Sequence, residues 1–329
     1  MVSIQIGSKI ATQSIFERFP MKSTVLYLTT VLIWGSTWLA ISFQLGDIVV
    51  ELSLFYRFAI AAACMWLFVA YKKPDMRFSL ADHGFFVLLA ISNFGLNYLL
   101  LYWAQNYLSS AMASIAFSML LIMNIINTRL FFAKPIAKRI YCGALMGVIG
   151  IIFLFWPHLQ QFDLSNGALV GLLLALGGTF VASLGNMISV RNSNRQIGVL
   201  QGNAWSMLYS AAGLAVYVLV NDIEVNFSAP TSYWLSLLYL SVFGTVIAFA
   251  CYFALLKNIG PEKASYAIVL FPLVAVALSS VFEDFEWHAN TFAGFSLVLL
   301  GNAIVLTPTK RINAFLASRC FAKNGSVPS

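Results

Sequence analysis

The sequence predicts an all-α integral membrane protein of ten transmembrane helices, arranged as two inverted five-helix repeats. Three observations predict it. First, 60% of the 329 residues are hydrophobic and 9% are charged, with a mean hydropathy of +0.84. That is more apolar surface than a soluble core can hide, and it is what a chain dissolved in lipid requires. Second, the stretch 113–157 recurs 151 positions later. The coincident pairs are Ala113/Ala264, Ser114/Ser265, Ala116/Ala267, Phe131/Phe282, Gly143/Gly294, Gly150/Gly301 and Pro157/Pro308. Most of these are Gly, Ala or Pro, whose backbone and close-packing roles are hard to replace. Third, the loop inside the first copy is basic (Arg129, Lys134, Lys138, Arg139) and the loop inside the second is acidic (Glu283, Asp284, Glu286). Basic loops stay on the cytoplasmic side, so the two copies lie upside down relative to each other.

In chain order, residues 1–23 form a polar, mildly basic tail. Met21-Lys22 stands directly before an apolar run and resembles a natural start, which raises the expectation that residues 1–20 are an extension. The first apolar run is too long for a signal peptide and lacks a small-x-small cleavage site. The spans follow at 24–44, 52–71, 84–104, 108–128 and 140–156, then at 167–189, 197–219, 232–254, 264–282 and 291–307. Each is of roughly the 17–25 residues that cross the hydrocarbon as a helix. None shows the two-residue alternation of a membrane β-barrel. Residues 24–157 thus hold the first repeat, 167–307 the second, and 308–329 a C-terminal tail.

All but one of the 19 Lys and Arg residues then fall on one side, in the tails and in the loops near 72–83, 129–139, 190–196 and 255–263. The other side carries Asp47, Glu51, Asp163, Asp222, Glu224, Glu283, Asp284 and Glu286 and no basic residue. An even number of spans with both termini in the cytoplasm accounts for this segregation. The net charge of +7 is therefore topological, and no folded basic face for nucleic acid is expected. Five spans per half force the inversion, an arrangement recurrent in alternating-access carriers with the substrate at the interface of the halves.

Catalytic chemistry finds no foothold. There is no H-E-x-x-H, no G-x-S-x-G, no phosphate loop and no mid-membrane carboxylate pair. Cys64, Cys142, Cys251 and Cys320 are scattered, and His83, His158 and His288 fall at the ends of apolar runs, so neither a metal site nor a cofactor is expected. A channel would need a ring of like residues, which the spans lack.

Trp34-Gly35-Ser36-Thr37-Trp38 in span one, Arg57-Phe58 in span two, Ala264-Ser265 before Leu270-Phe271-Pro272 in span nine, and the repeated Gly-x6-Gly together resemble the EamA family of the drug/metabolite transporter superfamily over residues 24–307. The resemblance implies a ten-helix fold of two inverted repeats and, in many members, export of amino acids, other metabolites or toxic compounds. Two features depart from it. Members often carry Glu nine residues before the first Gly of Gly-x6-Gly, where this chain has Lys134 and Phe285. Pro272 has no counterpart in span four, where the offset lands on Leu121.

The candidate site residues follow from placing polar and aromatic side chains in these spans. Trp34, Thr37 and Trp38 share one helix face and read as an aromatic cavity wall, or else as interhelical packing. Ser110, Ser114 and Ser118 form one stripe of small polar residues, and Thr179, Ser183 and Asn186 another. Such stripes serve either close helix packing or a cavity lining. Asn97, beside Tyr98, and Asn186 carry amides that in hydrocarbon must pair or face water. Arg57 is the one charge well inside a span. It reads as an anion contact in the outer mouth near Glu51, as a side chain snorkelling to the outer interface, or as a structural residue paired with Glu51 or Glu283. Tyr252 and Tyr266 flank the inner mouth, and Pro272 provides a kink that is either a gate or a fixed bend.

The expected function is transport of a small organic solute across the inner or plasma membrane, most simply as export, by rocking of the two halves. A lipid- or nucleotide-sugar-type carrier of the same superfamily is the alternative. With no Asp, Glu or His at mid-depth, facilitated movement is expected in preference to proton coupling.

Overall fold

A computed structural model describes residues 21–133, 135–159, 167–259 and 266–307. Lys134, Asp163, Ala264, Ser265 and both tails beyond these limits, all named above, lie outside the described residues, as do Glu262 and Lys263. The described chain is all-helical. In order the helices are α1 (Met21–Ser42), α2 (Val50–Lys72), α3 (Leu80–Gln105), α4 (Ser110–Phe132) and α5 (Lys138–Leu159). The second half contains α6 (Gly167–Asn194), α7 (Val199–Val220), α8 (231–259), α9 (Tyr266–Phe282) and α10 (Ala289–Leu306). Nine of these are long and apolar enough to cross a membrane, and α9 is a shorter apolar helix. Their outer faces are apolar, with Leu67, Leu145, Leu219 and Phe292 all well exposed, as lipid contact demands.

Several helices outrun their apolar cores on the basic side. α4 continues to Phe132 and α6 to Asn194, where hydropathy alone ends them near 128 and 189, and α3 begins at Leu80 rather than 84. The backbone ladder needs no apolar side chains to continue, and polar contacts support these extensions. The side chain of Ser79 caps α3 by accepting from the N–H of Asp82. Arg191 near the end of α6 pairs with Asp82 at 2.8 Å and stacks on Phe85. Ala133, in the left-handed region at φ 53°, ends α4.

The two halves interleave instead of sitting side by side. α2 packs on α7, and α5 on α10. α1 packs on α8 and α9, while α6 packs on α3 and α4. The contacts of α1 with α8 and α9 thus recur as those of α6 with α3 and α4, while α2–α7 and α5–α10 pair equivalent helices, as a twofold relation between five-helix units requires.

The α5–α10 crossing shows the inversion at atomic scale. A Cβ added to Gly143 would lie 2.5 Å from the carbonyl oxygen of Gly301, and one added to Gly301 would lie 2.6 Å from that of Gly143. Gly150 and Gly294 stand in the same reciprocal relation, at 2.7 and 2.6 Å. Each glycine of one Gly-x6-Gly thus meets the other end of the second copy. Equivalent helices packed in this register run antiparallel.

Two further devices fall at equivalent places. α3 widens into π turns at Ser92–Leu96, and α8 at Tyr239–Ile247. The 151-residue offset carries the first onto 243–247, inside the second. Such turns interrupt a helix without ending it and re-aim the side chains around them. α4 is broken at Ser118–Met119, and α9 contains Pro272. The missing proline partner therefore does not mean an uninterrupted helix. In α4 the hydroxyl of Ser118 donates to the carbonyl of Ile115 at 2.6 Å, and Asn302 of α10 donates to the carbonyl of Ser118 at 3.4 Å. Side-chain bonding to the preceding turn bends a helix as proline does.

Candidate solute-binding cavity

A cavity of about 640 Å³ lies between the two halves, lined by all the helices except α5 and α10. Its size is that of a small-molecule site. It extends from Trp38, Ile41 and Arg57 at its deep end to Asn192, Ser193, Asn194 and Gly198 where α6 gives way to α7. Ser193 and Asn194 are exposed, so this end communicates with the basic side.

One wall is aromatic. Trp34 of α1 meets Phe249 edge-on at 5.4 Å and Tyr252 at 5.0 Å, both on α8. Gly244, in the widened turns of α8, makes room for α1. A Cβ there would come within 2.8 Å of the Thr37 methyl group. Deeper in, Trp38 of α1, Phe117 of α4 and Phe271 of α9 form a triangle with ring centroids 5.3, 6.3 and 6.2 Å apart. These rings close the cavity toward the acidic side.

The facing wall is made of amides. Asn93 on the widened turn of α3 donates to Asn186 of α6 at 3.3 Å, and Asn186 donates in turn to Asn124 of α4 at 3.2 Å. Asn97, one turn beyond Asn93, donates to the Asn93 carbonyl at 3.3 Å. The widened turn brings Asn93 so close to α6 that only glycine fits at 185, where a Cβ would lie 2.5 Å from the Asn93 Oδ1. The two walls occupy equivalent helices, yet the offset carries Asn93 onto Gly244, Asn97 onto Ala248 and Asn124 onto Ala275. Similar scaffolds thus carry unlike linings.

Among the described residues Arg57 is the one charged member of the lining. It is 1% exposed and donates to the Tyr102 hydroxyl at 3.0 Å, which donates to Gln44 at 2.7 Å. Its guanidinium carbon lies 4.5 Å from the centroid of the Tyr98 ring. It pairs with neither Glu51 nor Glu283. Glu51 does not line the cavity, and Glu283 lies elsewhere. The Glu283 carboxylate, at the end of α9, accepts from the backbone N–H of Ser110 at 3.0 Å and from its hydroxyl at 2.6 Å, and Ser279 also donates to it. This tie lies beyond the aromatic triangle on the acidic side.

Of the residues singled out from sequence, the cavity gathers Trp34, Thr37, Trp38, Asn97, Tyr98, Asn186, Tyr252 and Arg57. Ser114, Ser118, Thr179 and Ser183 lie elsewhere, fully buried between helices. The first three donate to carbonyls one turn back, and Ser183 accepts from Asn127 at 2.8 Å. Theirs is the packing arrangement of small polar residues. Pro272 does not face the cavity, but its neighbour Phe271 does. Tyr266 opens α9, and its side chain lies outside the described residues. Sequence reasoning missed Asn93 and the part played by Asn124. The spacing of Asn93 and Asn97, four apart on one helix, was the available signal.

Comparison with known proteins gives a consistent result. The model of the EamA-like transporter family matches residues 21–156 and 169–307. YoaV of Bacillus subtilis (strain 168), named an uncharacterized transporter, is 24% identical over 83% of this chain and 93% of its own length. PagO of Salmonella typhimurium is 25% identical over 90% of this chain and 96% of its own. YedA of Escherichia coli K12, named an uncharacterized inner membrane transporter, is 26% identical over 86% and 92%. A solved crystal structure superposes with a TM-score of 0.62 at 18% identity, covering 86% of this chain and 96% of its own, which is a likeness of fold.

Proposed function

This chain belongs to the EamA-like transporter family, and from that premise we propose that it exports a small organic solute, such as an amino acid or other metabolite or a toxic compound, across the inner membrane by alternating access of its two inverted halves. The observation that carries the reading is the cavity, lined from both halves, reaching the basic side and closed on the acidic side by the aromatic triangle. If the basic side is cytoplasmic, this is a conformation that accepts solute from the cell interior. The reciprocal contacts between halves supply the second state, because exchanging the roles of the halves closes the basic side and opens the acidic one. A nucleotide-sugar carrier must neutralise a diphosphate, and among the described residues the lining offers Arg57 as its one charge, too little for that.

Purified protein in liposomes should release a preloaded solute chosen from a toxicity and export screen of cells overproducing the chain, while empty liposomes retain it. Failure to move any solute that the cells export would remove the transport reading. Orientation is tested separately with single cysteines in a cysteine-free background. Positions 47, 222 and 286 should react with an impermeant thiol reagent from outside the cell, and positions 75 and 193 should not. Reaction of position 193 from outside would reverse the proposed direction.

A further inference from the structure

The charge of Arg57 is unanswered. A cation sealed from water is stable only when paired, and the cost of an unpaired one amounts to several kcal/mol. Arg57 is 1% exposed, yet among the described residues its hydrogen-bonding partner is a neutral hydroxyl, that of Tyr102, and its planar face is covered by the ring of Tyr98. Its Nε has no partner. Guanidinium presents a planar fork of donors suited to carboxylate, and a neutral phenol satisfies only one tooth of it. Arg57 and Tyr98 both line the cavity, as Trp38 does. The counter-charge is therefore missing at a place that the cavity reaches.

The rest of the lining narrows the ligand further. Among the described residues no Asp or Glu lines the cavity, so none of them answers an ammonium group with opposite charge. The Trp38–Phe117–Phe271 triangle, which lines the same cavity, offers an apolar, ring-sized surface. The amides of Asn93, Asn124 and Asn186 on the facing wall already satisfy one another in part and present neutral donors and acceptors.

We propose that the solute is an organic monoanion, a carboxylate on an apolar or aromatic body without a protonated amine, and that its carboxylate docks on Arg57 while its body lies against the aromatic triangle. This proposal rests on the transporter reading and adds a substrate class to it. Tyr98 serves as the positioning residue. Its ring covers the guanidinium in the empty cavity and moves aside when the carboxylate takes its place. The unlike walls then hold the solute in one orientation, with its charge at the deep end.

The test uses the full-length protein in lipid nanodiscs and a matched probe set: 3-phenylpropionate, its amide 3-phenylpropanamide, 2-phenylethylamine and phenylalanine, together with the cyclohexyl and naphthyl analogues of each acid and amide. Binding is read from tryptophan fluorescence and from thermal stabilisation. A charge-assisted pair should make each bound acid about tenfold tighter than its amide, and tighter than the amine or the amino acid. In Arg57→Gln that preference should vanish while amide binding persists. Arg57→Lys, which keeps the charge but loses the fork, should retain part of the preference. The wild-type comparison needs no variant, so poor folding of Arg57→Gln does not blunt it. Equal binding of acid and amide throughout the set, tighter binding of phenylalanine or the amine, or an acid preference that survives in folded Arg57→Gln would each overturn the proposal. Export of neutral solutes with no acid preference would leave the transport reading standing and sink this one. Acid-selective binding without movement across liposomes would do the reverse.

Discussion

Glu283 at the end of α9 and Ser110 at the start of α4 are joined by two hydrogen bonds to one carboxylate, at 3.0 Å from the backbone N–H and 2.6 Å from the hydroxyl. The carboxylate stands at a helix N-terminus, where unpaired N–H groups and the helix dipole favour negative charge. The two helices come from different halves, so opening the acidic side strains this tie. Glu283→Gln weakens the charge-assisted bonds by about 1.5–3 kcal/mol. A cysteine at Gln105, buried beside Ser110, should then react with an impermeant thiol reagent about tenfold faster in Glu283→Gln than with Glu283 intact. Unchanged labelling would show that this carboxylate does not hold the closure.

The glycines of the α5–α10 crossing should separate sharply on substitution. At Gly150 a Cβ meets backbone, 2.7 Å from the Gly294 oxygen and 2.9 Å from the Val298 nitrogen. Gly150→Ala should therefore lower the amount of folded protein, by a cost of about 1–3 kcal/mol or more. At Gly147 the same atom meets the mobile ends of Ile122 and Met119 at 3.0 and 3.1 Å, so Gly147→Ala should fold nearly as well as wild type. Detergent-solubilised protein surviving a heating series measures both. Equal losses would contradict the backbone contact.

The two tryptophans should also part company. Trp34 is half-buried, whereas Trp38 is 6% exposed and belongs to the apolar core as well as to the cavity. Trp34→Ala should cut export severalfold with folded protein close to wild type. Trp38→Ala should reduce both, since emptying a core ring costs about 3–5 kcal/mol. Export normalised to folded protein distinguishes them, and normal export by folded Trp34→Ala would remove Trp34 from the solute wall.

A pH gradient should not drive accumulation. Among the described residues no Asp, Glu or His lines the cavity, and Arg57 does not release a proton at usable pH. Liposomes containing the protein should equilibrate a transported solute, and an imposed pH gradient should add nothing beyond the passive redistribution seen in empty liposomes. Gradient-driven accumulation abolished by Glu51→Gln would make Glu51 a coupling group. The same result with Glu283→Gln would assign that role to the tie with Ser110.

What could be read from the sequence was local or repeated. Apolar runs mark membrane helices because lipid imposes their length, and the glycines of the two Gly-x6-Gly copies stood out because no larger residue fits a backbone crossing. The place of Arg57 was legible, but its neighbours were not, since Tyr98 and Tyr102 come from another helix and Gln44 from the turn after α1. The chain of Asn93, Asn186 and Asn124 spans three helices and leaves no periodic trace. Ser114 and Ser118 look in sequence as a cavity stripe would, and only packing tells the two apart. The break in α4 at Ser118–Met119 went unseen because no proline marks it.

The glycine crossing of α5 and α10 is self-complementary: what Gly143 demands of Gly301, Gly150 accepts from Gly294 in mirror-like exchange. Two separate copies of a single five-helix chain, inserted in the bilayer in opposite orientations, could satisfy that contact without any change to it. Joining the copies into one chain frees them from having to be identical. Duplication followed by divergence thereby permits what a symmetric pair of chains cannot have: one wall of rings, one wall of amides, and a single arginine on one side only.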